Sequence, residues 1–210
     1  MCGDTPLERG QNMIAIIDYG AGNLFSVKNA LDHLGIENKI TDSADDLRAA
    51  DKLILPGVGA FPDAMRMLNE SGLVGVIKEE AARKPLLGIC LGMQMLFEKG
   101  FEFGETDGLG FIKGSVKLMT PKGLDVPHMG WNSLEFNEKC VLLNNVKDGE
   151  YVYFVHSYAA DCPSENVAAY CDYGMKVPAL VFSGNVYGAQ FHPEKSGETG
   201  LNILRAFNSI

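Results

Sequence analysis

Pro85-Leu86-Leu87-Gly88-Ile89-Cys90-Leu91-Gly92 is the stretch on which the fold turns. A short apolar run opens on a proline and ends on a cysteine held between two glycines. Met93, Leu96 and Phe97 follow at helical spacing, so the stretch predicts a buried strand passing at once into a helix. The same change of period occurs upstream. Met13-Ile14-Ala15-Ile16-Ile17-Asp18 is a compact strand closed by Tyr19-Gly20-Ala21-Gly22, and Leu24, Val27, Leu31 and Leu34 then repeat at helical intervals up to Gly35. Lys52-Leu53-Ile54-Leu55 is another apolar run, stopped by Pro56-Gly57. Strands that are apolar throughout and alternate with helices predict a parallel sheet covered on both faces. Beyond Gly104 the pattern changes to short strands at 114–118, 151–155, 168–172, 179–183 and 186–191, then a closing helix over 199–207. The expectation is one α/β domain over residues 13–210, a three-layer sandwich with a mixed, mostly parallel central sheet flanked by helices. Residues 1–12, polar and containing Gly3, Pro6 and Gly10, read as an N-terminal extension outside that domain.

Composition narrows the function classes. The 210 residues suffice for one well-buried core, with 46% hydrophobic and 21% charged side chains. A formal net charge of -9 argues against a nucleic-acid surface, which needs clustered Lys and Arg. No apolar run is long enough to span a bilayer and no charged-then-apolar leader opens the chain, so a cytoplasmic address is expected. The five cysteines, Cys2, Cys90, Cys140, Cys162 and Cys171, are odd in number and irregular in spacing, with no CxxC pair. They suggest neither a disulfide frame nor a zinc site. Cys2 resembles an N-terminal nucleophile, but Asp4, Thr5, Pro6 and Glu8 follow it where that chemistry needs a buried strand.

Cys90 differs from the others in its setting. Small neighbours at a strand-to-helix turn tolerate a sharp bend and push the side chain clear of the backbone, as in a nucleophile elbow. A helix N-terminus there favours negative charge, and its unpaired N–H groups, Leu91's among them, face the place where an oxyanion would form. Gln190-Phe191-His192-Pro193-Glu194-Lys195-Ser196 supplies the complement: a histidine ending an apolar strand, with a carboxylate two positions on. Cys–His catalysis needs an imidazole to hold the thiolate and a third group to fix its tautomer. Pro56-Gly57-Val58-Gly59-Ala60-Phe61 adds a glycine-bracketed loop whose backbone N–H groups could approach a ligand closely. Taken singly, each segment also fits a bland turn.

Together, and in this order, the three segments resemble those of the triad-type (class I) glutamine amidotransferases, from Met13 to the chain end. Asp18-Tyr19-Gly20-Ala21-Gly22-Asn23, Pro127-His128-Met129-Gly130-Trp131-Asn132 and Tyr153-Phe154-Val155-His156-Ser157-Tyr158 narrow the likeness to glutaminase subunits of imidazole glycerol phosphate synthases. The resemblance implies an enzyme that hydrolyses L-glutamine, with Cys90 as nucleophile, His192 as acid/base and Glu194 as its orienter. It implies substrate contacts at Gln94, His156, Ser157 and Glu102, and an oxyanion site at Gly57, Val58, Gly59 and Leu91. Asn23, Trp131 and Lys195 would face a partner, a (βα)8-barrel cyclase subunit forming a heterodimer and receiving the ammonia. No cofactor and no metal are implied. These segments describe the glutaminase and not the ammonia acceptor, so a paralogue serving another synthase, such as a sugar-amidinating one, fits them as well. His33 is expected to be solvated, and His128, with no carboxylate close behind it, has no expected role.

Overall fold

The computed structural model describes residues 12–210. Cys2 and nearly all of the extension lie outside them. The chain opens with β1 (Ile14–Ile17), α1 (Leu24–His33), β2 (Asn38–Thr41), α2 (Ala44–Ala49) and β3 (Lys52–Gly57). There follow α3 (Phe61–Glu70), α4 (Val74–Ala81), β4 (Leu86–Cys90) and a single helical turn, α5 (Leu91–Gln94). Next come β5 (Phe97–Gly100), β6 (Thr106–Asp107), β7 (Ile112–Leu118), β8 (His128–Ser133) and β9 (Glu135–Phe136). The remainder holds β10 (Tyr151–His156), β11 (Tyr158–Asp161), β12 (Val167–Asp172), β13 (Lys176–Ser183), β14 (Val186–Ala189) and α6 (Gly197–Asn208).

The central sheet has eight strands in the order β2-β1-β3-β4-β14-β13-β12-β9. Its pairings from β2 through β14 are parallel, and those beyond β14 are antiparallel. The three layers follow from strand alternation. Ile14, Ile16, Ile54, Leu87 and Ile89 pack on one side with Val27 and Leu31 of α1 and with Ile203, Leu204 and Phe207 of α6. Ala15, Ile17, Leu53, Leu55 and Leu86 pack on the other with Phe61 and Leu68 of α3 and Ile77 of α4. Burial on both faces is why these strands are apolar at every position and not at every second one. The mixed, mostly parallel sheet read from the sequence is therefore present. Of the strands read after Gly104, those at 114–118 and 151–155 fall in two smaller sheets, β11-β7-β5-β6 and β10-β8, while the other three join the central sheet as β12, β13 and β14.

One expectation fails at the turn itself. The helix predicted through Met93, Leu96 and Phe97 stops at Gln94, and Phe97 already belongs to β5, paired with Ile112. Met93, Leu96 and Phe97 are all fully buried, so their helical spacing reflects enclosure from several sides and not one amphipathic face.

Three glycines let this region close. A Cβ on Gly92 would lie 1.9 Å from the Leu55 carbonyl oxygen, one on Gly57 2.5 Å from the Gly92 nitrogen, and one on Gly88 2.7 Å from the Gly92 oxygen. Gly75, exposed in α4, has nothing within 4 Å of that position. Urea unfolding should therefore show Gly92→Ala destabilised by about 3 kcal/mol or more, as backbone must move to admit the methyl. Gly75→Ala should be stabilised by about 0.5–1 kcal/mol, through helix propensity and a less flexible unfolded chain.

Candidate active site

β3, β4 and β14 are adjacent and parallel, so their C-terminal ends open on one edge of the sheet, where α/β folds carry their sites. Gly57 is paired in register with Cys90, which ends β4, and Ala189 with Ile89, one residue before it. The chain beyond Ala189 then brings Gln190, Phe191 and His192 past the cysteine. Cys90 itself takes φ 56°, ψ -112°, a left-handed conformation unusual for any residue but glycine. Such strain persists where surrounding packing fixes it, here the backbone-on-backbone contacts of the three glycines.

The Nδ1–H of His192 donates to Glu194 Oε1 at 2.7 Å, and both side chains are buried. Cys90 lies close enough to the ring to act on its charge, while the Cys90 thiol itself reaches Val155 O at 3.8 Å. Burial, the largest single influence, works against charge on His192, but the hydrogen bonds and attractions to Cys90 and Glu194 together outweigh it and raise the imidazole from 6.5 to about 9. The other described thiols lack this company: burial, the leading influence on each, pushes Cys171 up to about 12 and Cys162 to about 11, and raises Cys140. They are kept as neutral thiols.

A cavity of about 290 Å³ opens over Cys90 and His192. Val58 and Gly59 line one side, with Leu91 and Gln94 below, Glu102 and Pro127 at the rim, and Val155, His156, Ser157 and Tyr158 opposite. Every substrate-contact and oxyanion residue read from the sequence lies here except Gly57, which sits beneath the loop against Leu91 and Gly92. Gly59, at φ 99°, gives the loop a backbone shape that other residues adopt at a cost. The carboxylate of Glu102 accepts the Phe61 N–H at 2.7 Å and so caps α3, whose preceding residue Ala60 has no side-chain cap of its own. The three residues expected to face a partner are placed differently. Trp131 and Lys195 are exposed and Asn23 is half-buried at the start of α1. Trp131 is the cross-strand neighbour of Tyr153, whose carbonyl receives the His192 N–H at 3.0 Å. His33 is exposed, as expected.

The sequence reading missed three buried polar residues. Gln190 Oε1 accepts from Gln94 Nε2 at 3.0 Å, while the same nitrogen donates to Tyr158 O at 3.0 Å. With both of its N–H groups committed, Gln94 has its carbonyl oxygen left for the cavity. Ser196 accepts the Tyr153 N–H and donates to the His192 carbonyl at 2.6 Å, locking the histidine's backbone to β10. His128, given no role, is wholly buried against His156, with 3.0 Å between His128 Nδ1 and His156 Nε2. Gln190 and Ser196 stand in the quoted histidine segment, but polarity within a short motif does not say which side is buried.

The family model for "Glutamine amidotransferase class-I" matches residues 15–209. The chain belongs to that family, and is a glutamine amidotransferase. It is 52% identical over 200 residues to imidazole glycerol phosphate synthase subunit HisH of Bacillus thuringiensis (strain Al Hakam), a match covering 94% of this chain and 95% of that protein. The HisH subunit of Bacillus anthracis (strain A0248) matches with the same identity and coverage. Among solved structures, PurLQS from Thermotoga maritima superposes with a TM-score of 0.73 at 22% identity, over 94% of this chain and 98% of that one. A glutamine amidotransferase of Thermotoga maritima superposes with a TM-score of 0.62 at 18% identity, over 95% of this chain and 84% of that one. At these identities the two structures speak for the fold alone, the three-layer sandwich described above.

The raised His192 value has a measurable consequence. A group whose value rises on folding stabilises the fold fully below its unfolded value, about 6.5, and that contribution is lost as pH climbs through about 9. The urea midpoint of the wild type should therefore fall between these limits relative to that of His192→Gln. Parallel profiles would mean that folding adds no proton to the His192–Cys90 pair.

Proposed function

We propose that this chain is the glutaminase subunit of an imidazole glycerol phosphate synthase, with Cys90, His192 and Glu194 as its catalytic triad. It hydrolyses L-glutamine to glutamate and ammonia. The ammonia passes to a cyclase subunit that makes imidazole glycerol phosphate and aminoimidazole carboxamide ribotide in histidine biosynthesis. The observation that carries the triad is the buried His192–Glu194 pair beside a cysteine on a strained turn, with Cys90 and His192 lining one cavity.

The chemistry follows from the proton positions. His192, protonated and held by Glu194, keeps Cys90 as a thiolate. The sulfur attacks the γ-amide carbon, and charge develops on the amide oxygen near the Leu91 N–H and a backbone N–H of the Val58–Gly59 loop. Collapse of that adduct breaks the C–N bond as the Nε2 proton of His192 goes to the departing ammonia, leaving a thioester. Water then gives a proton to the neutral imidazole and its oxygen to the acyl carbon, which releases glutamate and restores the thiolate–imidazolium pair. The free carbonyl oxygen of Gln94 accepts from the substrate's ammonium group, with Glu102 and the Ser157 segment around it. Asn23, Trp131 and Lys195 face the cyclase, a (βα)8 barrel, and Trp131 lies one strand from the carbonyl that anchors His192.

Free hydrolysis would waste glutamine, and the loop offers a means of control. Rotation of the peptide before Val58 presents either an N–H or a carbonyl to the oxyanion, and one missing donor costs about 3–4 kcal/mol, or two to three orders of magnitude in rate. Partner binding favours the N–H state.

Cys90→Ala should abolish glutamine-dependent synthesis by the complex while leaving synthesis from added ammonium intact. A Cys90→Ala chain that still hydrolyses glutamine would remove the nucleophile assignment. Gly59 is the residue for testing the loop, because its Cβ position is open whereas a side chain at Gly57 would strike Gly92. Gly59→Val should shrink the stimulation of glutaminase by cyclase and acceptor from about a hundredfold or more to less than about tenfold. An isolated wild-type chain already running at the full rate of the complex would defeat the gating scheme and leave the triad untouched.

A further inference from the structure

Behind the cavity a chain of hydrogen bonds is closed at both ends by carbonyl oxygens. At one end His156 Nδ1 lies 2.8 Å from Tyr158 O, an atom that can only accept, so this nitrogen carries a proton. At the other end Asn132 Nδ2 donates to Asp172 O at 3.1 Å, which turns its Oδ1 toward His128 Nε2 at 2.8 Å. That nitrogen too must carry a proton. Between them His156 Nε2 and His128 Nδ1 stand 3.0 Å apart. Two neutral rings would place bare lone pairs face to face, and two cationic rings would oppose two N–H groups. One proton between the two nitrogens satisfies every polar atom of the chain.

We propose that His128 and His156 share a single proton as a buried imidazole–imidazolium pair, and that this pair positions Gln94 for glutamine. The aromatic setting supports the charge. The His128 ring is stacked between Tyr173, with centroids 3.9 Å apart, and Phe154, at 4.6 Å, so two π faces cover it. Burial opposes charge on both rings, lowering His128 and bringing His156 down to about 4, with the charge of His192 acting in the same direction on His156. This burial acts against the first proton as well as the second. It does not exclude the first, since removing it breaks the central hydrogen bond and leaves two buried acceptors in contact. The titratable groups facing the pair are His192 on the cavity side and Tyr173 on the other, whose hydroxyl donates to Asp125 O at 2.9 Å. Among the described residues, neither ring pairs with a carboxylate.

The consequence for binding rests on the reading of the cavity as a glutamine site. Both ring nitrogens of His156 are committed, so its side chain offers the substrate no hydrogen bond. It fixes Tyr158 O, which holds Gln94 Nε2, which in turn leaves Gln94 Oε1 facing the cavity. His128 and Asn132 belong to β8, the strand that also exposes Met129 and Trp131. The pair is therefore a positioning device that ties an exposed strand to the amide reading the substrate.

Nitrogen NMR of the whole chain labelled in its histidine rings counts these protons directly. At pH 7 the pair should show three ring N–H protons on four nitrogens, one of them strongly deshielded and shared. Two N–H protons, the neutral pair, or four, the dication, would each overturn the proposal. In the complex with cyclase, His128→Phe keeps the stacking and removes the link. Glutamine KM should rise about tenfold, the loss of one hydrogen bond, while ammonium-dependent synthesis is unchanged. An unchanged KM overturns the positioning role, and if the variant fails to fold the proton count in the wild type still decides. Failure of the glutaminase reading would show separately, as a wild-type complex that turns over no glutamine.

Discussion

Between β3, β4 and the turn after Cys90, backbone packs directly on backbone. Gly92 lies under the Leu55 carbonyl, and Gly57 and Gly88 abut the same turn, at distances that leave no room for a Cβ. This contact holds Cys90 in its left-handed conformation and aims the sulfur away from the sheet. It also aligns the Val58–Gly59 loop beside the cysteine, because Gly57 and Cys90 are register partners on adjacent parallel strands. The one-turn length of α5 follows from the same crowding: once Gln94 is placed, the chain must leave to form β5. With so short a helix, a macrodipole offers little to a charged sulfur. The imidazolium of His192 is the stronger source of stabilisation.

The raised value of His192 depends on a neighbour on each side of the ring. His192 is buried, which disfavours charge, and its value rises because Glu194 and Cys90 are both within hydrogen-bond reach. Position is secured by backbone as well as side chain. Tyr153 O receives the His192 N–H, and Ser196 bridges the Tyr153 N–H and the His192 carbonyl. The opposite neighbour of Tyr153 is the exposed Trp131. A ligand pressing on β8 would therefore act on the histidine through one cross-strand pair, a shorter route than any through the central sheet.

The two smaller sheets give the cavity its remaining walls, and their polar residues are arranged by donor and acceptor count. Gln94, Tyr158, His156, His128 and Asn132 form one continuous series running from the cavity floor to the carbonyl of Asp172. Because carbonyl oxygens terminate it, the orientation of every amide and the tautomer of each ring follow in turn. Buried networks of this kind are costly when one member is missing, and two such bonds hold the amide of Gln94.

The sequence alone determined the sheet's character and brought out Cys90, His192 and Glu194 as candidates. Apolar runs closed by Gly or Pro, each passing into a helical repeat, can be satisfied by few arrangements other than strands buried on both faces. A cysteine between glycines at such a junction, with His-Pro-Glu at the end of a later strand, places two candidate groups on the same sheet edge. What it could not supply was enclosure. Met93, Leu96 and Phe97 repeat like a helix yet are split between a turn and a strand, since burial from all sides erases the difference between periods. Gln190, Ser196 and His128 look like ordinary polar residues along the chain, and their importance arises from partners 96, 43 and 28 positions away in sequence. Whether a buried donor or acceptor has a partner is a property of three-dimensional neighbours, and so the tertiary structure alone decided it.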